Sequence, residues 1–190
     1  MLNDYRLFKE AAQDTPFANF AAGLGGYLLA TAVKSAPGLV FDKTPLVTVV
    51  NRGGPAHRAL HDGSAGAAIA NGAVLYRGPF VFCGAGTCPD YGFGFKIFPF
   101  AGIRPGQMNV RITTAGAGEM ALHLPQIWTG VYRTPRIHDF YADRVSFEFD
   151  GPVPFQIGGD ALGTRTKVEF GISDDAYDFV DLRRPKLLAA

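Results

Sequence analysis

Val145-Ser146-Phe147-Glu148-Phe149-Asp150-Gly151-Pro152-Val153-Pro154-Phe155-Gln156-Ile157 is the stretch that decides the fold. Val145, Phe147 and Phe149 alternate with Ser146 and Glu148. A period of two puts one set of side chains on a core face and the other in water. Asp150-Gly151 between two apolar runs signals a hairpin turn, which makes residues 153–157 the returning strand. The prolines in that strand assign it to a sheet edge.

Outward from this stretch the pattern repeats. Val168, Phe170 and Ile172 alternate with Lys167 and Glu169, and Met108, Val110 and Ile112 alternate with Asn109 and Arg111. Tyr91, Phe93, Phe95 and Ile97 alternate with Gly92, Gly94 and Lys96, while Phe80-Val81-Phe82 is a short apolar run. The β-branched run at residues 46–50 reads as a buried strand, residues 51–55 as a loop and residues 61–72 as irregular chain. Two helices break the series. One starts at Pro16, with Thr15 as its cap, and ends near Lys34. The other covers residues 117–129 with an apolar stripe of Met120, Leu124 and Ile127; Pro125 breaks or kinks it and Gly130 ends it. The expected fold is α+β and β-dominated: an antiparallel β-sandwich-like domain with two or three packed helices. One domain is expected across residues 1–190, with a helical segment at 1–40 and a β-rich core at 41–181.

Composition agrees with many short strands. Of 190 residues, 47% are apolar, 24 are glycine and 16 are phenylalanine, and only 18% are charged, against about 25% in an average soluble protein. Eighteen basic and seventeen acidic residues nearly cancel, so there is no basic stripe to make nucleic acid the main partner. Cys83 and Cys88 lack the further ligands of a zinc site. They read as two free thiols of a reducing compartment, with a small loop disulfide as the alternative. Residues 15–33 are uncharged and mostly apolar but include Asn19, Thr31 and three glycines. They fall short of the roughly 20 apolar residues of a membrane span, and the mixed-charge residues before them do not make a secretory leader. A buried or interfacial helix is expected there, in a cytoplasmic protein with peripheral contact to a membrane.

Several motifs carry chemistry elsewhere. Gly116-Ala117-Gly118-Glu119-Met120-Ala121 fits the dinucleotide fingerprint, with Asp139 at about the spacing of the ribose carboxylate. A single βαβ unit is too little for that fold, so a tight strand-to-helix turn needing glycine is expected instead. The glycine-rich segment 84–94 lacks the Lys-Ser or Lys-Thr of a P-loop and reads as a turn or bulge between aromatic strands. His57, His61, His123 and His138 show no zinc-protease spacing. The acidic positions Asp174, Asp175, Asp178 and Asp181 lack the glycine and terminal glutamate of a calcium loop. Gln156-Ile157-Gly158-Gly159-Asp160 remains. Its glycines allow a sharp turn, and Asp160 at a strand end either accepts a proton from an attacking hydroxyl or serves the turn.

The order of motifs from about Gly78 to Ser173 resembles the C-terminal domain of diacylglycerol kinase and sphingosine kinase-like lipid kinases. Residues 99–110 (Pro99 through Arg104-Pro105-Gly106-Gln107-Met108-Asn109-Val110) have the spacing of that family's Pro-x-Ala, Asp-Gly, Leu-x-Val segment. Leu124-Pro125-Gln126-Ile127-Trp128-Thr129-Gly130 looks like its helix end, followed by an extended link at Pro135-Arg136-Ile137. Pro154-Phe155-Gln156-Ile157-Gly158-Gly159-Asp160 resembles its Pro-x-Gln-Val-Asp-Gly-Glu strand end, and residues 167–172 fall where a closing strand is expected. The resemblance covers about half the chain.

What the resemblance implies is a lipid-binding domain that contributes to ATP-dependent phosphorylation of a lipid alcohol. In such kinases a separate N-terminal domain holds ATP in a Gly-Gly-Asp-Gly loop. This chain has no such loop and no space before residue 78 for that domain, so it is expected to bind no cofactor alone; ATP and Mg²⁺ are implied through a nucleotide-binding partner domain. The other expected partner is a lipid substrate or membrane surface. Two acidic positions of the family pattern are replaced, by Gly158 and by Pro105. Asp160 stands where the family has glutamate, and it is the one catalytic residue the resemblance carries over. Whether the chain is an enzyme is left open between an incomplete lipid kinase and a non-catalytic lipid-binding or interaction module on the same fold.

Overall fold

The computed structural model describes residues 44–91 and 94–175. The helix expected at residues 16–34, Gly92 and Phe93, and the acidic positions Asp178 and Asp181 lie outside the described residues. Among the described residues nine strands appear in order: β1 Leu46–Asn51, β2 Ala56–Ala59, β3 Ala65–Ile69, β4 Val74–Pro79, β5 Phe82–Gly86, β6 Met108–Thr113, β7 Ile137–Ala142, β8 Arg144–Ile157 and β9 Asp160–Gly171. Two short helices, α1 Ala117–Leu122 and α2 Leu124–Trp128, lie between β6 and β7. The strands form a four-stranded sheet in the order β4-β1-β8-β9 and a five-stranded sheet in the order β3-β2-β7-β6-β5. Every pairing is antiparallel. The sheets enclose one apolar core built from the alternating side chains: Val47 and Val49 of β1, Val145 and Phe147 of β8, Met108, Val110 and Ile112 of β6, and Phe140 of β7. The β-dominated, sandwich-like α+β architecture expected from the alternation is the one observed.

The helical segment also behaves as its sequence dictates. Pro125 falls in the first turn of α2, where its missing N–H costs nothing, and His123 separates the two helices with φ −104° and ψ 17°. Gly130 closes the segment at φ +74°. An added Cβ there would lie 2.9 Å from Pro99 Cβ and 3.0 Å from Lys96 Cβ, whereas at Gly102, at φ +79°, it would meet nothing within 4 Å. Left-handed strain for a non-glycine residue costs about 1–3 kcal/mol. Both Gly130→Ala and Gly102→Ala are therefore expected to destabilise in urea denaturation, Gly130→Ala by the larger amount. Equal losses would mean that the packing against Pro99 and Lys96 is unimportant.

Four local expectations are corrected. First, Asp150-Gly151 is not the hairpin turn; β8 continues through it, with a bulge in its pairing to β9 between Glu148 and Val153. The Asp150 carboxylate accepts the Leu46 N–H at 3.0 Å and so terminates β1 rather than reversing the chain. The reversal comes at Gly158 and Gly159, with φ +58° and +98°, between the paired residues Ile157 and Asp160. Positive φ at both central residues is the two-residue turn that matches strand twist. Second, Tyr91, Phe95 and Ile97 do not belong to a strand. Phe95 packs against Trp128 with ring centroids 5.2 Å apart, and Lys96 N–H bonds Trp128 O at 3.0 Å, so this segment is held by the helices. Phe80 and Val81 likewise precede their strand, which starts at Phe82. Third, residues 61–72 are not irregular throughout, since β3 pairs with β2 despite its small side chains. Fourth, Gly116 has φ −74° and ψ 167°, extended backbone that any residue adopts, so the turn before α1 does not require glycine.

The glycines of β5 have a packing explanation. Cβ atoms at Gly84 and Gly86 would lie 3.3 Å and 2.5 Å from atoms of the Phe98 ring. Glycine makes room for an aromatic side chain there. No helix among the described residues is long and apolar enough to cross a membrane.

Candidate functional site

Asp160 sits at the tip of a projecting ribbon. β1 pairs with β8 only as far as Phe149, so beyond it the backbone of β8 pairs with β9. Pro152 and Pro154 are accommodated because no strand needs their missing N–H on the other side. The register slips between Pro154 and Gln156, opposite Gly163 at φ +76°, a bulge with the glycine it requires. Ile157 and Asp160 are directly paired, which puts their side chains on one face, and Leu162 follows two residues on the same face. Asp160 is exposed, and its apolar neighbours Ile157 and Leu162 are 56% and 42% exposed. On the other face Gln156 Nε2 donates to the Tyr91 hydroxyl. The ribbon thus presents a carboxylate between two apolar side chains in solvent.

A second constellation lies on the outer face of the five-stranded sheet. Alternation along β6 sends Asn109 and Arg111 away from the core, and register places them opposite Tyr141 and Asp139 of β7. Both were expected in water, yet Asn109 is fully buried and Arg111 nearly so. The segment after Phe98 covers them: Phe100 N–H donates to Asn109 Oδ1 at 3.2 Å, and Phe100 packs with Tyr141 and Ala59 in a small second cluster. Arg111 forks onto Asp139 through Nε to Oδ1 at 2.8 Å and Nη2 to Oδ2 at 2.9 Å. Asn109 Nδ2 donates to Asp139 Oδ1 at 3.0 Å. Burial, followed by the Asp139 charge, raises the Tyr141 phenol above its usual pKa. Its hydroxyl donates to Gly63 O at 2.5 Å.

Above this network opens a cleft of about 50 Å³ lined by Arg58, His61, Phe100, Arg133, Thr134 and Asp139, among others. Arg133 lies flat on Phe100, its guanidinium carbon 4.6 Å from the ring centroid. Its Nε donates to His61 O at 3.1 Å and its Nη1 to Gly130 O and Tyr132 O at 2.8 and 2.9 Å. Burial, then the neighbouring Arg111 charge, lowers its pKa. Burial and the Arg58 charge likewise lower that of His138.

No family model matches this chain, and no curated protein matches it. Function is therefore read from the residues themselves. The structure gives Asp160 an exposed position on the four-stranded sheet's ribbon and the arginine-lined cleft a position on the other sheet. Asp139, at the spacing of a ribose-binding carboxylate, has both oxygens engaged by Arg111 and Asn109, so it is not open to a ribose. His57 bonds Gly66 O through Nδ1 at 2.9 Å, and no group of three His, Cys, Asp or Glu among the described residues could hold a metal ion. The network of Asn109, Arg111 and Asp139 beside Arg133 escaped the sequence reading because its members are far apart along the chain. The one signal was Arg111, a charge inside a strand otherwise rich in apolar residues.

Both cysteines are free thiols; Cys83 is partly buried in β5 and Cys88 is exposed. Burial pushes the Cys83 thiol up to about 12. Since the thiolate is the reactive form, maleimide labelling at neutral pH is expected to modify Cys88 rapidly and Cys83 only on unfolding. Equal rates in the native protein would contradict the packing of β5.

Proposed function

We propose that this chain is a lipid-kinase-type C-terminal domain that binds a lipid acceptor and offers Asp160 to the acceptor hydroxyl, with ATP and Mg²⁺ held on a separate nucleotide-binding domain. The observation that carries this reading is the ribbon tip. The stretch resembling Pro-x-Gln-Val-Asp-Gly-Glu ends in a two-residue turn with positive φ at Gly158 and Gly159, the turn that Asp-Gly pairs also favour. Gly158-Gly159 thus meets the backbone demand of the family motif while removing its first carboxylate. Asp160 follows immediately, exposed and flanked by Ile157 and Leu162, a surface suited to a head group at the boundary of apolar chains.

This reading places the nucleotide and its metal elsewhere than on the glycine-rich segment, where the space beside Gly84 and Gly86 is filled by Phe98. Those groups are assigned to the partner domain, and this chain's contribution is lipid binding and one proton acceptor. A second reading, a lipid-binding module without chemistry, is favoured by Pro105 and Gly158 standing where the family has acidic residues. The test is phosphate transfer to mixed lipid micelles in magnesium-ATP, with and without a nucleotide-binding domain, alongside micelle binding by the chain. Transfer that requires both polypeptides supports the first reading. Binding without transfer supports the second, and absence of both overturns the two together.

A further inference from the structure

We propose that the outer edge of β9 pairs with β9 of a second copy of this chain, antiparallel about a two-fold axis, with Val168 opposite the partner's Val168. β9 ends the four-stranded sheet, and among the described residues no strand pairs its other side. It is 12 residues long, whereas the other sheet edges, β4, β3 and β5, have 6, 5 and 5. Residues 164–170 contain neither proline nor glycine, and every residue from Asp160 to Lys167 is exposed. A long, unguarded edge is a template for another strand. β4, by contrast, ends in Gly78-Pro79, and the glycines of β5 lie against the Phe98 ring.

Backbone direction fixes which residues the edge offers. Ile172 N–H bonds Asp143 O at 2.9 Å, one step beyond the Arg144–Gly171 pair. Hydrogen-bonded pairs alternate along an antiparallel ladder. Phe170 and Val168 therefore bond β8, while Gly171, Glu169 and Lys167 aim their N–H and C=O groups away from it. The bond from Arg52 N–H to Arg144 O agrees, since it gives the alternate residues of β8 to β1. A second β9 must then set odd-numbered residues opposite odd-numbered ones, and charge selects among those registers. Placing Arg165, Lys167 or Glu169 opposite its own copy, or Arg165 opposite the partner's Lys167, brings like charges face to face, which is destabilising. Lys167 opposite the partner's Glu169 joins opposite charges instead, and the two-fold axis makes that pair twice, with Arg165 opposite the partner's Gly171. Glu169 has no ion pair among the described residues. Lys167 bonds Glu148 at 2.9 Å, so charge alternates across the joined outer face from Glu148 to Lys167 to the partner's Glu169. On the other face the two Val168 side chains meet at the axis in a non-hydrogen-bonded pair, where side chains lie closest. Thr166 there meets the partner's Phe170, a favourable aromatic and β-branched pair.

The pairing ends at Arg165, short of Asp160, so it does not depend on the role given to that residue. One strand a side is far less than the roughly 20–30 residues a side of a standard interface, so the dimer is expected to dissociate on dilution. The test is sedimentation equilibrium of the full chain at low salt across the micromolar range, where a monomer–dimer equilibrium is expected. Glu169→Lys and Lys167→Glu are each expected to weaken the dimer about tenfold or more, because the axis counts every new like-charge pair twice. Both side chains are exposed, and the Lys167–Glu148 pair lost in one variant is an exposed pair of little weight, so the fold is spared. Mixed in equal amounts, the two variants are expected to associate again, since every glutamate of one copy then faces a lysine of the other. A variant that had merely lost its fold is not rescued by mixing. A monomer at every concentration, which is also what coverage of the edge by residues beyond 175 would give, overturns the proposal. So does a dimer indifferent to both substitutions, or a pair of variants that stay apart when mixed.

Discussion

Asp139→Ala is expected to lower the unfolding free energy by about 3–5 kcal/mol, the cost of leaving a buried charge without its partner. The side chains of Arg111 and Asp139 are only 7% and 6% exposed, so little water replaces the lost carboxylate. Arg133 lies close enough for the Arg111 charge to depress its pKa, and removing Asp139 adds uncompensated repulsion between the two guanidinium groups. Asn109 Nδ2 loses its shorter bond as well and keeps only the 3.4 Å bond to Val110 O. Against a total stability of roughly 5–15 kcal/mol for a domain, such a loss leaves a protein that unfolds at low urea. The double variant Arg111→Met, Asp139→Leu is expected to recover most of the deficit, because the penalty belongs to the unpaired charge rather than to the missing attraction. Urea denaturation of both variants decides this. A loss below about 1 kcal/mol in the single variant, the value of an exposed pair, would mean that the network is solvated.

The same pair shows where sequence reading reached its limit. Alternation identified β6 and β8 correctly, because Met108, Val110 and Ile112, like Val145 and Phe147, fill the space between two sheets. Period-two patterning tells which side chains share a face, but not what covers that face. Asn109 and Arg111 were assigned to water because they are polar; the segment carrying Phe100, which packs over them, is distant in register and has no periodicity of its own. The hairpin failed for a related reason. Asp150-Gly151 and Gly158-Gly159 are both turn signals, and the choice between them is made by a long-range bond from Leu46 N–H to Asp150. β3, made of alanine, glycine and one isoleucine, is a strand because β2 offers it a partner, against the low strand propensity of its alanines and glycine. The aromatic run near Tyr91 alternates like a strand, yet Phe95 is claimed by Trp128. Asp160 was legible as a residue at a turn, since two consecutive glycines readily take the positive φ that a tight turn needs. Its apolar neighbours on the ribbon face became visible only once the register of β8 and β9 was known.

On the proposed function, in a transfer assay reconstituted with a separate nucleotide-binding domain, Asp160→Ala is expected to reduce phosphate transfer to lipid by roughly a hundred- to ten-thousand-fold, the usual contribution of a positioned general base, while micelle affinity stays unchanged. Affinity is expected to depend instead on Ile157 and Leu162, whose exposed side chains flank the carboxylate. Asp160→Glu is the more searching variant. A general base must come within about 2.6–3.2 Å of the proton it removes, and small misplacements carry large rate penalties. The two-residue turn leaves the backbone at this position little freedom, so side-chain length sets the reach. Restoring the longer carboxylate of the lipid-kinase pattern is expected to raise transfer above that of the native chain without altering lipid affinity. Loss of transfer in Asp160→Glu together with Asp160→Ala would show that the acceptor site is built for the shorter side chain. Full transfer in Asp160→Ala would remove the carboxylate from the chemistry and leave the ribbon as a lipid-binding tip. The exposure of Asp160 also predicts which of its properties can change: with no burial to lose, Asp160→Ala should leave thermal stability where it was, so a fall in transfer cannot be blamed on unfolding.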